Sequence, residues 1–406
     1  MFERPTQMEP LLPTGAGDLE DLAREVVARS AALGGRLHPV TQGTVAELLR
    51  LVNSYYSNRI EGHSTHPVDI ERAMREDYSR DPAKRDLQLE SLAHIRCQRE
   101  LEARLDAEPG LNVAGGDFLQ WLHRTFYERL PDRLREVRDE DTGEVVTVVP
   151  GELRRRPVRV GHHVGPKSEA LGAFVERFAS FYRTGAFHGV TPLIAAAAAH
   201  HRLMWIHPFL DGNGRVARLY TDACFRQLPL RGYGLWNVSR GLARRRSDYM
   251  AALTWADAPR RNDYDGRGNL SDEGLARFSR FFLEVCLDQC AFMGEMLRLD
   301  TLLDRVDGYV QGRALKVLPG PAPDAPPLKR EASHMLQEVL LRGEMARGDV
   351  LRVSGMAERT GRDLLGQLLQ EGLLVSDSPK GRVRLGIPTR VAGVWFPDLY
   401  PAQVLT

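Results

Sequence analysis

Apolar residues recur at helical intervals over most of this chain. Val45, Leu48, Leu49, Val52 and Tyr56 fall at i, i+3, i+4 and i+7, the pattern of one buried helical face. Thr44 followed by Glu47 reads as a capping box, so the spacing predicts a helix over about 44–62 that stops near Gly62. The same reasoning predicts helices at about 168–185, 191–206, 215–228, 245–256 and 272–299, with APRRNDYDGRGNLS (258–271) as a loop inserted between the last two. A valine-rich stretch broken by Pro and Gly, EVVTVVPGELRRRPVRVGHHVG (144–165), predicts short strands or a hairpin. The expected fold is mainly α, and no internal repeat organises it.

PGPAPDAPP (319–327) holds five prolines in nine residues, which forbids helix and ladder pairing alike and predicts an extended spacer. After it, residues 330–388 read as helix, short helix, turn, helix and two short strands. Leu364, Leu365, Leu368, Leu369 and Leu373 keep helical spacing, and VSDSPKGRVRLGIP predicts a hairpin turning at Pro379 to Gly381. That is the outline of a small winged helix-turn-helix domain.

Composition narrows the function. The chain has 406 residues, 43% hydrophobic and 27% charged, ordinary globular usage that excludes disordered and collagen-like classes. Lys and Arg total 55 against 54 Asp and Glu, so no global field draws it to nucleic acid or an anionic membrane. Cys97, Cys224, Cys286 and Cys290 lack zinc-ribbon or redox spacing and read as reduced, mostly buried thiols. No leader-like start or membrane-spanning apolar run is present, so the expected location is cytoplasmic, with no membrane partner.

Chemistry concentrates between Ala195 and Gln227, where two apolar helices flank a short loop. Pro208 stops the first helix at about His207; Gly212 and Gly214 free the backbone to turn its N–H groups inward where the second helix begins. Such a nest with a helix dipole behind it suits phosphate. Arg215 and Arg218, three apart, share a helical face and add two cations. Asp211 at the rim suits a Mg²⁺ bridging phosphate oxygens, and His207 supplies a titratable nitrogen. A base, a metal carboxylate, an anion nest and two arginines suit attack of a hydroxyl on a nucleoside triphosphate. Spacing alone also allows a loop that merely turns, with His207 and Asp211 as caps.

HPFLDGNGRVAR (207–218) resembles the signature HxFx(D/E)GNGRxxR of Fic-domain protein adenylyltransferases, matching every fixed position. PGELRRRPVRVGHH (150–163) is similar to the family's strand-forming flap, and RRSDYMAAL (245–253) resembles the helix beside its adenine pocket. The similarity covers about residues 110–295. It implies a Fic-type helical core with a β-hairpin flap, moving AMP from Mg·ATP to a Ser, Thr or Tyr hydroxyl of a protein, the enzyme itself included. The resulting division is a helical region 1–109, a catalytic domain 110–318, a linker 319–329 and the winged module with its tail, 330–406.

The resemblance implies roles. His207 is the base; Asp211 holds Mg²⁺; Gly212, Asn213 and Gly214 form the anion hole; Arg215 grips the diphosphate and Arg218 the γ-phosphate. Val160, Gly161, His162 and His163 line the nucleotide and hold the target backbone as an added strand, and Tyr249 packs near adenine. Met250 and Asp257 stand where relatives tend to carry Tyr and Asn. SNRIEG (57–62) resembles the family's inhibitory motif (S/T)xxxE(G/N). Glu61 ends a helix, where the macrodipole disfavours an anion unless a cation compensates, and Arg218 is the candidate cation. Paired with Glu61, Arg218 is lost to ATP and the enzyme rests off; Ser57, one turn back, braces the pair. In some relatives the same glutamate helps remove AMP, and both uses remain open. The branch also implies a homodimer.

Two other classes compete. A DNA-bound regulator would work through 330–388, but nine Lys or Arg against eight Asp or Glu leave that segment at +1, with Arg359, Arg362, Lys380, Arg382 and Arg384 as its only candidate basic face; winged helices also dock proteins. A metal hydrolase would use His162, His163, His200, His201 and His207, yet adjacent helical histidines point about 100° apart. Arg154 to Arg156 and Arg244 to Arg246 read as solvated faces, the first of which could also attract an acidic target.

Overall fold

The computed structural model describes residues 2–15, 17–138, 143–161 and 163–401. After α1 (Gly17–Leu33) come three helices that begin alike: α2 (Pro39–Ile60), α3 (Pro67–Met74) and α4 (Pro82–Ala107). Each starts on proline, whose fixed φ suits the first turn and whose missing N–H would have had no partner there. The preceding side chain caps it. His38 Nδ1 accepts from the Val40 N–H at 3.2 Å, His66 Nδ1 from Val68 at 3.3 Å and Asp81 Oδ1 from Ala83 at 3.0 Å. This corrects the expected start of the second helix: Thr44 is no cap but an interior residue, its hydroxyl turned to the Val40 and Leu385 carbonyls.

α2 is buried nearly all round, with polar residues among the apolar ones. Their partners lie on α4: Asn53 Nδ2 donates to Gln98 Oε1 at 2.8 Å, Ser54 Oγ to the Ser91 carbonyl at 3.0 Å and Asn58 Nδ2 to Ser91 Oγ at 3.2 Å. These bonds pair amide and hydroxyl donors whose burial would otherwise be costly, and they fix the axial register of α2 on α4.

α5 (Gly116–Tyr127) leads into two antiparallel hairpins, β1 (Glu136–Arg138) with β2 (Val145–Thr147), and β3 (Arg159–Val160) with β4 (His163–Val164). The helical body is completed by α6 (Leu171–Phe181), α7 (Thr191–Ile206), α8 (Asn213–Gln227), α9 (Val238–Arg244), α10 (Arg246–Asp257) and α11 (Asp272–Met296). α7 is buried around its circumference and accordingly central, flanked by α6, α8, α10 and α11. The helix expected over 272–299 ends at Met296. Leu297 turns into the core and α12 (Leu299–Ala314) starts afresh.

Beyond the proline-rich stretch lie α13 (Ala332–Arg342), β5 (Glu344–Met345), α14 (Arg347–Val353), α15 (Glu358–Gln370), β6 (Leu374–Val375), β7 (Val383–Leu385) and α16 (Thr389–Trp395). The strands form an antiparallel sheet in the order β5-β7-β6; β5 and α16 were not expected from the sequence. This module shares its core with the rest. One apolar cluster runs from Leu19 to Tyr400, Arg313 of α12 pairs with Glu371 at 2.6 Å with both side chains buried, and α2 donates from Thr41 to the Leu340 carbonyl at 2.9 Å and from Tyr56 to that of Leu399 at 3.1 Å. No helix among the described residues is long and apolar enough to cross a membrane.

Candidate active site

The α7–α8 connection is built on two left-handed residues. His207 has φ 48° and Gly212 φ 76°; the first is a conformation that L side chains adopt at a cost, and it closes α7 ahead of Pro208. Asn213 then locks the loop from inside, accepting from the Phe209 N–H at 2.9 Å and donating to the Phe209 carbonyl at 2.8 Å. Its side chain is therefore a staple. The anion-binding capacity lies in the backbone N–H groups of Asn213, Gly214 and Arg215, the first turn of α8, which have no intrahelical acceptor.

His207 Nδ1 lies 3.1 Å from the Met204 carbonyl. A carbonyl only accepts, so Nδ1 carries the proton and Nε2 is left bare. Burial pushes the imidazole down to about 4, which keeps it neutral and able to take a proton at neutral pH.

Glu61, at the C-cap of α2, reaches into this loop. Its Oε1 accepts from Arg218 Nη2 at 2.5 Å, while Ser57 takes the Arg218 Nε–H on Oγ at 2.9 Å and a second N–H on its carbonyl at 3.0 Å. The carboxylate lies directly over Gly214, where any Cβ would collide with it. Burial raises the Glu61 pKa, but Arg218, and then Arg215, hold it below the usual carboxylate range. Arg246 is exposed, as expected of a solvated face, and also donates to the Ile60 carbonyl at 2.9 Å, so capping the C-terminus of α2.

Four further residues enter the site that sequence reasoning missed. Tyr127 donates to Asp211 Oδ2 at 2.5 Å, and its ring lies where a side chain on Gly212 would have to go. His123, stacked on Phe209 at 4.1 Å, accepts from the Gly151 N–H at 2.8 Å and therefore donates through Nε2 to the Asp211 carbonyl at 3.3 Å. Glu90 on α4 forms an ion pair with Arg215, whose other amino group lies 3.3 Å from Asp211 Oδ2. Arg154 is 4% exposed and not the solvated residue expected. It donates to the carbonyls of His207 at 2.8 Å, Arg156 at 2.9 Å and Pro166 at 2.7 Å, tying the base of the β3–β4 hairpin to the loop.

Val160, Gly161 and His163 line a cleft of about 740 Å³ that opens beside His207 and continues along Met250, Leu253, Thr254 and Asp257 of α10. His163 is anchored through Nε2 to the Trp205 carbonyl at 2.7 Å. His162 lies outside the described residues. Tyr249 does not line this cleft: it is fully buried, with its hydroxyl 2.7 Å from His200 Nε2, and Met250 lines the cleft. Asp257 is held by His201 at 3.0 Å. Among the described residues no group of three or more His, Cys, Asp or Glu could hold a metal ion by itself.

Residues 116–224 match the family model described as Fic/DOC family. The chain is 33% identical over 139 residues to a protein adenylyltransferase Fic of Drosophila grimshawi, covering 32% of this chain and 29% of that protein. To its namesake from Drosophila mojavensis it is 38% identical over 139 residues, covering 32% and 28%. The chain thus spans under a third of the curated relatives it matches. Among solved structures it resembles a Fic family protein from Desulfovibrio desulfuricans G20 (TM-score 0.50, 17% identity, 90% of this chain and 95% of that one) and Fic-1 from C. elegans (TM-score 0.52, 16% identity, 69% and 73%).

Proposed function

We propose that this chain, whose residues 116–224 make a Fic-family domain, is a protein adenylyltransferase that moves AMP from Mg·ATP to a Ser, Thr or Tyr hydroxyl of a protein and is held off by its own Glu61. What supports this most is the Glu61 carboxylate itself. It lies over Gly214, at the first turn of α8, and against Arg218, an anion beside the helix N-terminus where a triphosphate would place its charge.

With Glu61 withdrawn, the N–H groups of Asn213, Gly214 and Arg215 and the guanidinium of Arg218 are free to hold the polyphosphate, with the nucleoside along α10. The target segment adds as a strand to the β3–β4 hairpin. His207 Nε2 takes the hydroxyl proton as that oxygen attacks the α-phosphorus; the bond from the α-phosphorus to the bridging oxygen breaks, and pyrophosphate leaves with the electron pair, its charge met by the arginines. Asp211 fits as a Mg²⁺ ligand: Tyr127 and Arg215 approach its Oδ2, and Oδ1 accepts no hydrogen bond among the described residues. The metal would supply charge neutralisation on the phosphates and would arrive with them.

The module after the linker is read as a winged helix that steadies α2 and not as a duplex reader. Arg362 pairs with Glu358, Arg382 with Glu344 at 2.9 Å and Arg384 with Asp377 at 2.8 Å, so three of the five cations of its candidate basic face already have a carboxylate beside them.

The test is incubation of wild type, Glu61→Gly and Glu61→Gly/His207→Ala with Mg·ATP labelled at the α-phosphate, in the presence of lysate. Protein-bound label is expected with Glu61→Gly and not with the other two. No label in any folded variant would sink the reading.

A further inference from the structure

Glu61 neutralises Arg218, but a second carboxylate is committed to the other arginine of the loop. Glu90 projects from the middle of α4 and is 6% exposed. Its Oε1 receives Arg215 Nη1, and its Oε2 is 2.7 Å from His63 Nδ1. The two oxygens are thus shared between the phosphate-binding loop and the residue just past the inhibitory turn.

Arg215 is itself 5% exposed and lies 4.9 Å over the Phe126 ring. Its Nη2 reaches Asp211 Oδ2 at 3.3 Å and the Tyr127 hydroxyl at 3.4 Å, while its Nε–H is buried with no partner among the described residues. A planar guanidinium gripped at one corner by Glu90, at another by Asp211 and over one face by Phe126 is fixed in orientation. A surface arginine would have to order several rotors to bind phosphate, and this one has already done so. The holder differs in kind from Glu61. Glu61 sits at a helix end followed by Gly62 at φ 91°; Glu90 sits inside a long helix locked to α2 by Asn53, Ser54 and Asn58.

We infer that Glu90 is the positioning residue for Arg215, orienting its guanidinium toward the phosphates beyond the α-phosphate, and that it is not a second brake. The inference rests on the adenylyltransferase reading and concerns discrimination between nucleotides. Adenosine monophosphate lacks the phosphates that Arg215 would grip, whereas ADP and ATP carry them.

The experiment measures binding of ATP, ADP and AMP with Mg²⁺ to Glu61→Gly, Glu61→Gly/Glu90→Gln and Glu61→Gly/Glu90→Asp, after circular dichroism has established that each is folded. Glu90→Gln is expected to weaken ATP and ADP by about tenfold or more, the scale of one misplaced charge-assisted contact, and to leave AMP within about twofold. Glu90→Asp keeps the charge on a shorter arm and should lose less, which also provides a readout if the Gln variant fails to fold. Equal losses for all three nucleotides would assign Glu90 to general architecture and overturn the inference. Tighter ATP binding in either variant would make Glu90 a brake and overturn it equally. If Glu61→Gly alone binds neither ATP nor AMP, the parent reading has failed and takes this one with it.

Discussion

Glu61 and Arg218 are 157 residues apart in the chain and 2.5 Å apart in the fold. The pair leaves the last arginine of the loop facing its own protein and not a nucleotide. Ser57 contributes as much geometry as Glu61 does, since it takes two of the Arg218 N–H groups.

Ser57→Ala removes the hydroxyl acceptor and leaves the carbonyl and Glu61. α-Phosphate labelling is expected to rise about tenfold above wild type and to stay below that of Glu61→Gly. Labelling equal to wild type would show that Ser57 does not brace the pair.

Gly214→Ala separates steric release from activation. The new methyl would displace the Glu61 carboxylate, yet it would occupy the same ground over the amide nest. The variant should therefore lose affinity for ATP and remain unlabelled, unlike Glu61→Gly. A labelled, active Gly214→Ala protein would mean that the phosphates do not pass over this residue.

The pH profile follows from His207. Its pKa is lowered to about 4, so the base is unprotonated everywhere above about pH 5 and loses function only as pH falls through that value. In Glu61→Gly, kcat/KM should be flat from about pH 6 to 8; an inflection near the ordinary histidine value would contradict this. Because Glu61 is held below the usual carboxylate range by Arg218 and Arg215, mild acid leaves it ionised and its pair with Arg218 in place. Mild acid should not switch the wild-type chain on.

Arg154→Met keeps the length of the side chain and removes its donors to three carbonyls. Leaving those acceptors buried and unpaired should lower unfolding stability by about 3 kcal/mol, read as a lower urea midpoint. An unchanged midpoint would show that water takes over the bonds.

The geometry of the loop was legible because HPFLDGNGRVAR is contiguous: His207, the glycine turn and both arginines lie within twelve residues, local to one helix–turn–helix. Glu61 was legible through a motif rather than through its contact. Glu90, Tyr127, His123 and Arg154 gave no such signal. They reach the loop across 125, 84, 88 and 53 residues, and nothing in the periodicity of α4 or α5 marks one charged or aromatic position above its neighbours. Thr44 misled for a related reason. Its spacing to Glu47 imitates a cap, while the His38-Pro39 start is the stronger signal, repeated at His66-Pro67.

The grip of the C-terminal module on α2 also has a consequence in time. Tyr56 needs the Leu399 carbonyl and Thr41 needs that of Leu340, so the far wall of α2 is made from the last part of this sequence to be translated. At about 5–20 residues per second, Leu399 leaves the ribosome's active centre roughly 10–40 s after Arg218. During that interval the nascent chain already contains Ser57, Glu61, His207 and Arg218, and it holds the α7–α8 loop before the residues that back α2 have been synthesised.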